Sequence, residues 1–376
     1  MRLLSTSVWD ENFFEQFVQF RNDIHKNIVT SFPEKTEDYK KYFGPDSPFE
    51  EDYFWEAFLV YDDGKIIAKC ILSWRKDSKT GNLGFIDWEN QPDAARLIQE
   101  SVSATAKRHG LNRLKTPVDL NLFIKYRIRL PGGGEPYWGE PIYPDYYHDL
   151  FEITGFKEIA RWDTYRMNKL QNVIDYFLKR VKLSRKPTGS HGKTKNKNLR
   201  TSLRCVRMND WDNELKVIHK LFNEAYQSMP EWEPITFEQF RLVYDDFKYI
   251  INPWYSYIVE LRGVPVGFSI NFADPLPILE KVKGKELSSV EKALLFLKLR
   301  MNNSSFLIAH VGKIPGPDGE EIKGVQIQVS RRLQLFGMMM KKILVTFQVK
   351  DSPSRRSFEE KHLIPYAQYA LYGKDL

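Results

Sequence analysis

Two cysteines, Cys70 and Cys205, are all that the 376 residues contain, which excludes a disulfide framework and a cysteine-built metal site. Cys70 falls inside an apolar, strand-like run, where a buried structural thiol is the plain reading. The seven histidines are scattered. No spacing among them suits a metal or a nucleophilic triad, and no Gly-x-x-x-x-Gly-Lys run is present to cradle a nucleotide phosphate. Apolar runs are short: none approaches the roughly 18 residues that span a bilayer, and Met1 to Asn12 lacks the basic start and apolar core of a signal peptide. These absences lead to the expectation of a cytoplasmic protein.

Excess charge is also missing over most of the chain. The net charge of +7 is concentrated in one place, because Lys169 to Arg204 holds eleven of the 56 basic residues and only one acid, Asp175, of the 49. The rest is close to neutral, which argues against a dedicated nucleic-acid-binding surface. The tract Pro187 to Lys193 has the polar, Gly- and Lys-rich composition of a flexible loop. The basic stretch is expected to be a solvated linker or a contact with an anionic surface.

What the chain does contain is a segment used twice. Trp55 to Ala68 aligns without a gap on Trp254 to Gly267, about 200 residues later. In both copies aromatic and branched residues run into a short polar turn ending in Gly, then into a second apolar stretch, the pattern of two antiparallel strands joined tightly. A repeat this long implies duplication of a domain and not a solenoid. Length agrees, since two domains of roughly 170 residues are natural for such a chain. The expected division is 1–168, a basic linker 169–198, and 199–376.

Each half follows one order of elements. In the first, Asn12 to Thr30 has helical apolar spacing and precedes a hairpin at 54–74 and a strand at Leu83 to Trp88. Pro92-Asp93 opens a helix through Lys107, closed by His109-Gly110. Arg113 to Asp119 is a short strand, Pro131 to Pro144 a Gly/Pro/Tyr-rich loop, Tyr146 to Thr154 a helix and Trp162 to Met167 a closing strand. The second half gives a helix at Glu214 to Ser228, the hairpin at Trp254 to Phe272, an inserted helix at Ser288 to Met301, and a strand at Ser305 to Val311. A helix at Gly324 to Met340, a strand at Lys342 to Val349, a helix at Pro353 to His362 and a terminal strand at Tyr366 to Tyr372 complete it. The fold class is mixed α/β.

This order, in tandem, resembles the GNAT superfamily of N-acetyltransferases. Tyr147 to Phe156 with Tyr165-Arg166-Met167, and Asp351 to Phe358 with Tyr369 to Lys374, resemble the superfamily's last helix and closing strand. Gly84 to Asp87, Thr116-Pro117 and Ile142 to Tyr147 further resemble a group of bacterial tandem proteins of that superfamily. The resemblance implies two GNAT-like folds and an acyl-CoA-dependent N-acyltransferase, with acetyl-CoA or another acyl-CoA as cosubstrate and a small-molecule or lipid amine as acceptor. Pantetheine would lie along the strand Leu307, Ile308, Ala309, His310, Val311, and the pyrophosphate at the helix start Lys323, Gly324, Val325, Gln326, where backbone N–H groups and the helix dipole favour an anion. Gln326 stands where a small residue is usual, and the first half's Asn90 to Ala95 contains no glycine. Asp87 and His310 are the candidate bases. Phe151 and Phe358 occupy the places where the superfamily commonly has a Tyr acid. The cluster Tyr137, Trp138, Tyr143, Tyr146, Tyr147 is expected either to line an acceptor pocket or to pack on the other domain, with Asn121 and Asp119 supplying polar contacts in that cleft; Asn121, Tyr143, Tyr146 and Tyr147 are the acceptor-site candidates. Two other functions fit the residues: a noncatalytic ligand- or partner-binding protein, and a ligase using aminoacyl-tRNA.

Overall fold

The computed structural model describes residues 1–28, 30–168, 201–229, 231–283, 285, 287–301, 305–316, 342–349 and 363–376. The expected helices at 324–340 and 353–362, the turn Lys323 to Gln326, Phe358 and the tract 187–193 lie outside the described residues.

The first half begins with strand β1 (Arg2–Thr6) and helix α1 (Glu11–His25). The Asp10 carboxylate accepts from the Phe13 amide at 3.1 Å and so starts α1. Phe13, Phe14, Phe17, Val18 and Phe20 recur at helical spacing and are buried. Helix α2 (Thr36–Phe43) leads to strands β2 (Tyr53–Asp62), β3 (Lys65–Arg75) and β4 (Thr80–Trp88), then α3 (Pro92–Arg108) and β5 (Arg113–Thr116). Short strands β6 (Val118–Asp119), β7 (Lys125–Tyr126) and β8 (Ile128–Arg129) precede α4 (Tyr147–Ile153) and β9 (Lys157–Met167). Alternate side chains of β2 sort onto two faces: Ala57 and Leu59 pack with α1 and α2, whereas Phe58 and Val60 pack with α3 and α4.

The second half opens with β10 (Thr201–Cys205), α5 (Trp211–Ala225) and α6 (Phe237–Tyr244), followed by β11 (Tyr257–Leu261) and β12 (Val264–Ala273). After short α7 (Leu276–Leu279) and α8 (Ser289–Met301) come β13 (Ser305–Lys313), β14 (Lys342–Val349) and β15 (Leu363–Asp375).

The repeated segments form the same hairpin. Asp62 pairs with Lys65 across Asp63-Gly64 (φ 45° and 79°), and Leu261 pairs with Val264 across Arg262-Gly263 (φ 53° and 82°). Two positive φ values in a two-residue loop are the mark of a type I′ turn, whose twist matches the strands it joins. Both hairpins also carry a register shift at the same aligned position, between Val60 and Tyr61 and between Val259 and Glu260.

One 13-stranded sheet joins the halves in the order β1-β2-β3-β4-β5-β15-β9-β14-β13-β12-β11-β10, with β8 paired to β15 off that path. The order reads alike from both ends, except that the closing strands are exchanged: β15 lies beside β5, and β9 lies beside β14. The strand at Trp162 to Met167 therefore does not close its own half, and neither does the one at Tyr366 to Tyr372. Each also begins earlier than its apolar pattern suggested. Parallel pairing occurs at β4–β5 and β13–β14, and the other pairs are antiparallel. The edge strands β1 and β10 and the helices α2 and α6 escape the periodicity reading because they are short.

Candidate active site

In each half the two parallel strands separate after a brief contact. β4 pairs with β5 only from Thr80 to Asn82, and β13 pairs with β14 only from Ser305 to Ile308. The two openings differ in what occupies them.

The first is closed by the chain itself. Asp119 accepts from the Phe85 amide at 2.5 Å, and the Asn82 side chain donates to the Leu120 carbonyl at 2.8 Å. Gly84 lies so close to β6 that a Cβ there would stand 2.0 Å from the Val118 oxygen. Burial pushes the Asp119 carboxyl up to about 6, with the Lys125 charge and the Phe85 amide opposing it.

The second opens into a cavity of about 1050 Å³ between the halves. β13 runs on to Lys313 with a register shift beside Asn271, and the Thr346 hydroxyl donates to the Ile308 carbonyl at 3.1 Å where the strands part. Leu307, Ala309, His310 and Val311 line the cavity; Ile308 is instead buried with Phe306 and Val345. Phe222, Tyr226, Trp232, Tyr244 and Phe272 supply aromatic wall from the second half. The first half contributes Arg21, His25, Lys125, Arg127, Tyr137 and Trp138. The aromatic cluster divides: Tyr137 and Trp138 line the cavity, and Trp138 packs on Phe247 and Phe272 of the second half while its amide donates to Asp274 at 3.0 Å.

His310 faces rings, with centroids of Phe222 at 4.9 Å and Tyr244 at 6.0 Å. Burial, with the Arg127 charge added, pushes its pKa down to about 3. That environment favours its neutral form.

Asp87, the other candidate base, is not on the cavity wall. It is 2% exposed, and its oxygens are taken by Lys69 at 2.9 Å, His25 at 2.5 Å and the Tyr147 hydroxyl at 3.2 Å. Burial alone would raise its pKa, but Lys69 and His25 outweigh that and hold it well below the usual carboxylate range. The four acceptor-site candidates are likewise engaged away from the wall. Tyr147 accepts from the Trp88 amide at 3.1 Å, Tyr146 donates to the Trp88 carbonyl at 2.7 Å, Tyr143 packs 5.4 Å from Tyr147, and Asn121 accepts from the Phe123 amide at 2.9 Å. Phe151 is core, stacked 5.3 Å from Tyr372.

Among solved structures, a tandem GNAT protein from the clavulanic acid biosynthesis pathway matches all of this chain and 98% of its own, at a TM-score of 0.51 and 10% identity. The fold is that of a tandem GNAT protein. A probable N-acyltransferase from Enterococcus faecalis (TM-score 0.53, 6% identity) and a GCN5-related N-acetyltransferase from Anabaena variabilis (0.51, 10%) cover 100% and 99% of this chain, and 73% and 72% of their own. Among curated proteins, Protein YghO of Escherichia coli is 19% identical over 276 residues, 69% of this chain and 66% of that protein, just under two thirds. No family model matches the chain. Among the described residues, no cluster could hold a metal ion and no helix is long and apolar enough to cross a membrane.

The residue missed by sequence reading is His25, which joins the cavity wall to Asp87. Its signal lay in α1, where Phe14, Val18, Arg21 and His25 share one helical face that is otherwise apolar.

Proposed function

We propose that this protein is a cytoplasmic acyl-CoA-dependent N-acyltransferase whose second half holds the thioester and whose cavity receives a small-molecule or lipid amine. The observation that carries this reading is the difference between the two strand openings. Asp119 and Val118 fill the one between β4 and β5, whereas the one between β13 and β14 leads into about 1050 Å³ of space walled in part by aromatic rings. The parted parallel strands fit a pantetheine arm, for which Ala309, His310 and Val311 would provide the edge. When bound, the thioester would supply an activated acyl carbonyl. The chain would bind the amine against the aromatic walls, orient it through neutral His310, and limit access of water. We further propose that 1–168 and 199–376 are the two duplicated units, joined by the basic linker 169–198.

A second reading, a noncatalytic binding protein, is favoured by Phe151, whose ring is committed to the core and has no proton to give. Thermal shift with CoA, acetyl-CoA and palmitoyl-CoA separates the two. A thioester at about 100 times its dissociation constant adds about 2.7 kcal/mol of stability, and Ala309→Phe should abolish that gain. No shift with any thioester would refute the acyltransferase reading in favour of the second.

A further inference from the structure

His25 is held in a way that the strand-borne candidates are not. It ends α1 on the cavity wall, and its Nε2 lies 2.5 Å from Asp87 Oδ1. The other Asp87 oxygen receives Lys69 Nζ at 2.9 Å, and Lys69 itself is completely buried. An ionised carboxylate only accepts, so Nε2 carries the hydrogen; burial lowers the His25 pKa against the pull of Asp87, and in the neutral ring Nδ1 keeps its lone pair. Nδ1 has no hydrogen-bond partner among the described residues.

We propose that His25, oriented by Asp87, is the proton acceptor for the amine in this cavity, with Asp87 and Lys69 as positioning residues. This rests on the acyltransferase reading. Charge explains the choice between the two histidines. Protonated His310 would meet aromatic rings and the Arg127 cation, whereas protonated His25 would meet the Asp87 carboxylate. Burial and the Lys125 and Arg21 charges lower the His25 pKa as well, but there the Asp87 carboxylate opposes them, which nothing among the described residues does at His310; Arg21 is paired with Glu34 at 2.8 Å, and Lys125 sits over the Tyr143 ring at 4.5 Å. In the transfer, the ammonium gives one proton to Nδ1, which passes it to solvent. The freed lone pair forms the C–N bond as the C–S bond breaks; a second N–H proton goes to the departing thiolate, and the third stays on the amide.

Two measurements on the full chain test this. Nitrogen-15 NMR of labelled histidines, assigned by the signal missing in His25→Gln, should show His25 protonated on Nε2 and bare on Nδ1 at neutral pH. CoA release from palmitoyl-CoA with butylamine or dodecylamine should fall at least about 100-fold in kcat in His25→Gln and in Asp87→Asn. Palmitoyl-CoA affinity by calorimetry should stay within about twofold, a separation that a merely structural role would not give. A hydrogen on Nδ1, or unchanged turnover in His25→Gln, overturns the proposal alone. Thioester binding without turnover of either amine overturns it as well. Failure of the wild type to bind any thioester removes the acyltransferase reading beneath it.

Discussion

Asn in place of Asp119 should stabilise the protein at neutral pH and leave it unchanged in acid. Asp119 is buried where β4 and β5 part, and burial pushes its pKa up to about 6 despite Lys125 and the Phe85 amide. The unfolded chain returns it to about 3.9. A folded-state pKa above the unfolded value means that the native state prefers the protonated acid. The group's contribution is therefore complete below about pH 4 and is lost as pH rises through 6. About two pKa units correspond to about 3 kcal/mol. Asn has the shape of the protonated acid and keeps an oxygen for the Phe85 amide, so Asp119→Asn should exceed wild type by about 3 kcal/mol at pH 7.5. Urea unfolding of both proteins at pH 4, 5, 6 and 7.5 reads the difference directly, and other titrating groups cancel in it. An Asn variant that is less stable at pH 7.5, or a difference that does not change with pH, would refute the reasoning and mean that the ionised carboxylate holds the opening closed.

Gly84→Ala should destabilise by roughly 2–3 kcal/mol, because its Cβ would meet the Val118 oxygen at 2.0 Å and the Asp119 Cα at 2.6 Å, both backbone atoms. Circular dichroism melts check this, and a neutral effect would show that β6 does not press on β4. Residues 1–168 expressed alone should aggregate, since loss of β15 leaves both β5 and β9 with open edges; coexpression with 199–376 should recover a soluble 1:1 complex. A soluble, monomeric 1–168 would refute that dependence.

The hairpins were legible because their chemistry is local: Asp63-Gly64 and Arg262-Gly263 suit a type I′ turn, and the flanking residues alternate. Helix α1 was legible from its phenylalanines. The strand exchange was not, because an apolar pattern specifies a strand and not its neighbour; β9 and β15 offer the same kind of edge. At the site, the strand Ser305 to Val311 was legible from its apolar run and lines the cavity, whereas the partners that enclose Asp87 were not. Lys69 held the missing clue. It interrupts an apolar run, Ile66-Ile67-Ala68 before it and Cys70-Ile71-Leu72 after, and a buried ammonium requires a counter-ion from elsewhere in the chain. The partners that satisfy this requirement are close in space but far apart in sequence: His25 and Asp87 are 62 residues apart.

The two halves treat the same strand opening differently. A GNAT-like fold parts its parallel strands and leaves backbone groups to be satisfied; in the first half the chain does so itself, through Asp119 on Phe85 and Asn82 on Leu120. That half then has no strand opening of its own, but its helix α1 and the loop at 137–142 become walls for the other half's cavity. The exchanged strands make this division structural. β9 pairs with both β14 and β15, so the strand that completes the second half's sheet is tied by hydrogen bonds to the strand that completes the first. A cavity whose two proposed chemical parts, β13 with β14 and His25 with Asp87, come from different halves depends on that tie for its geometry. Neither half contains the whole arrangement.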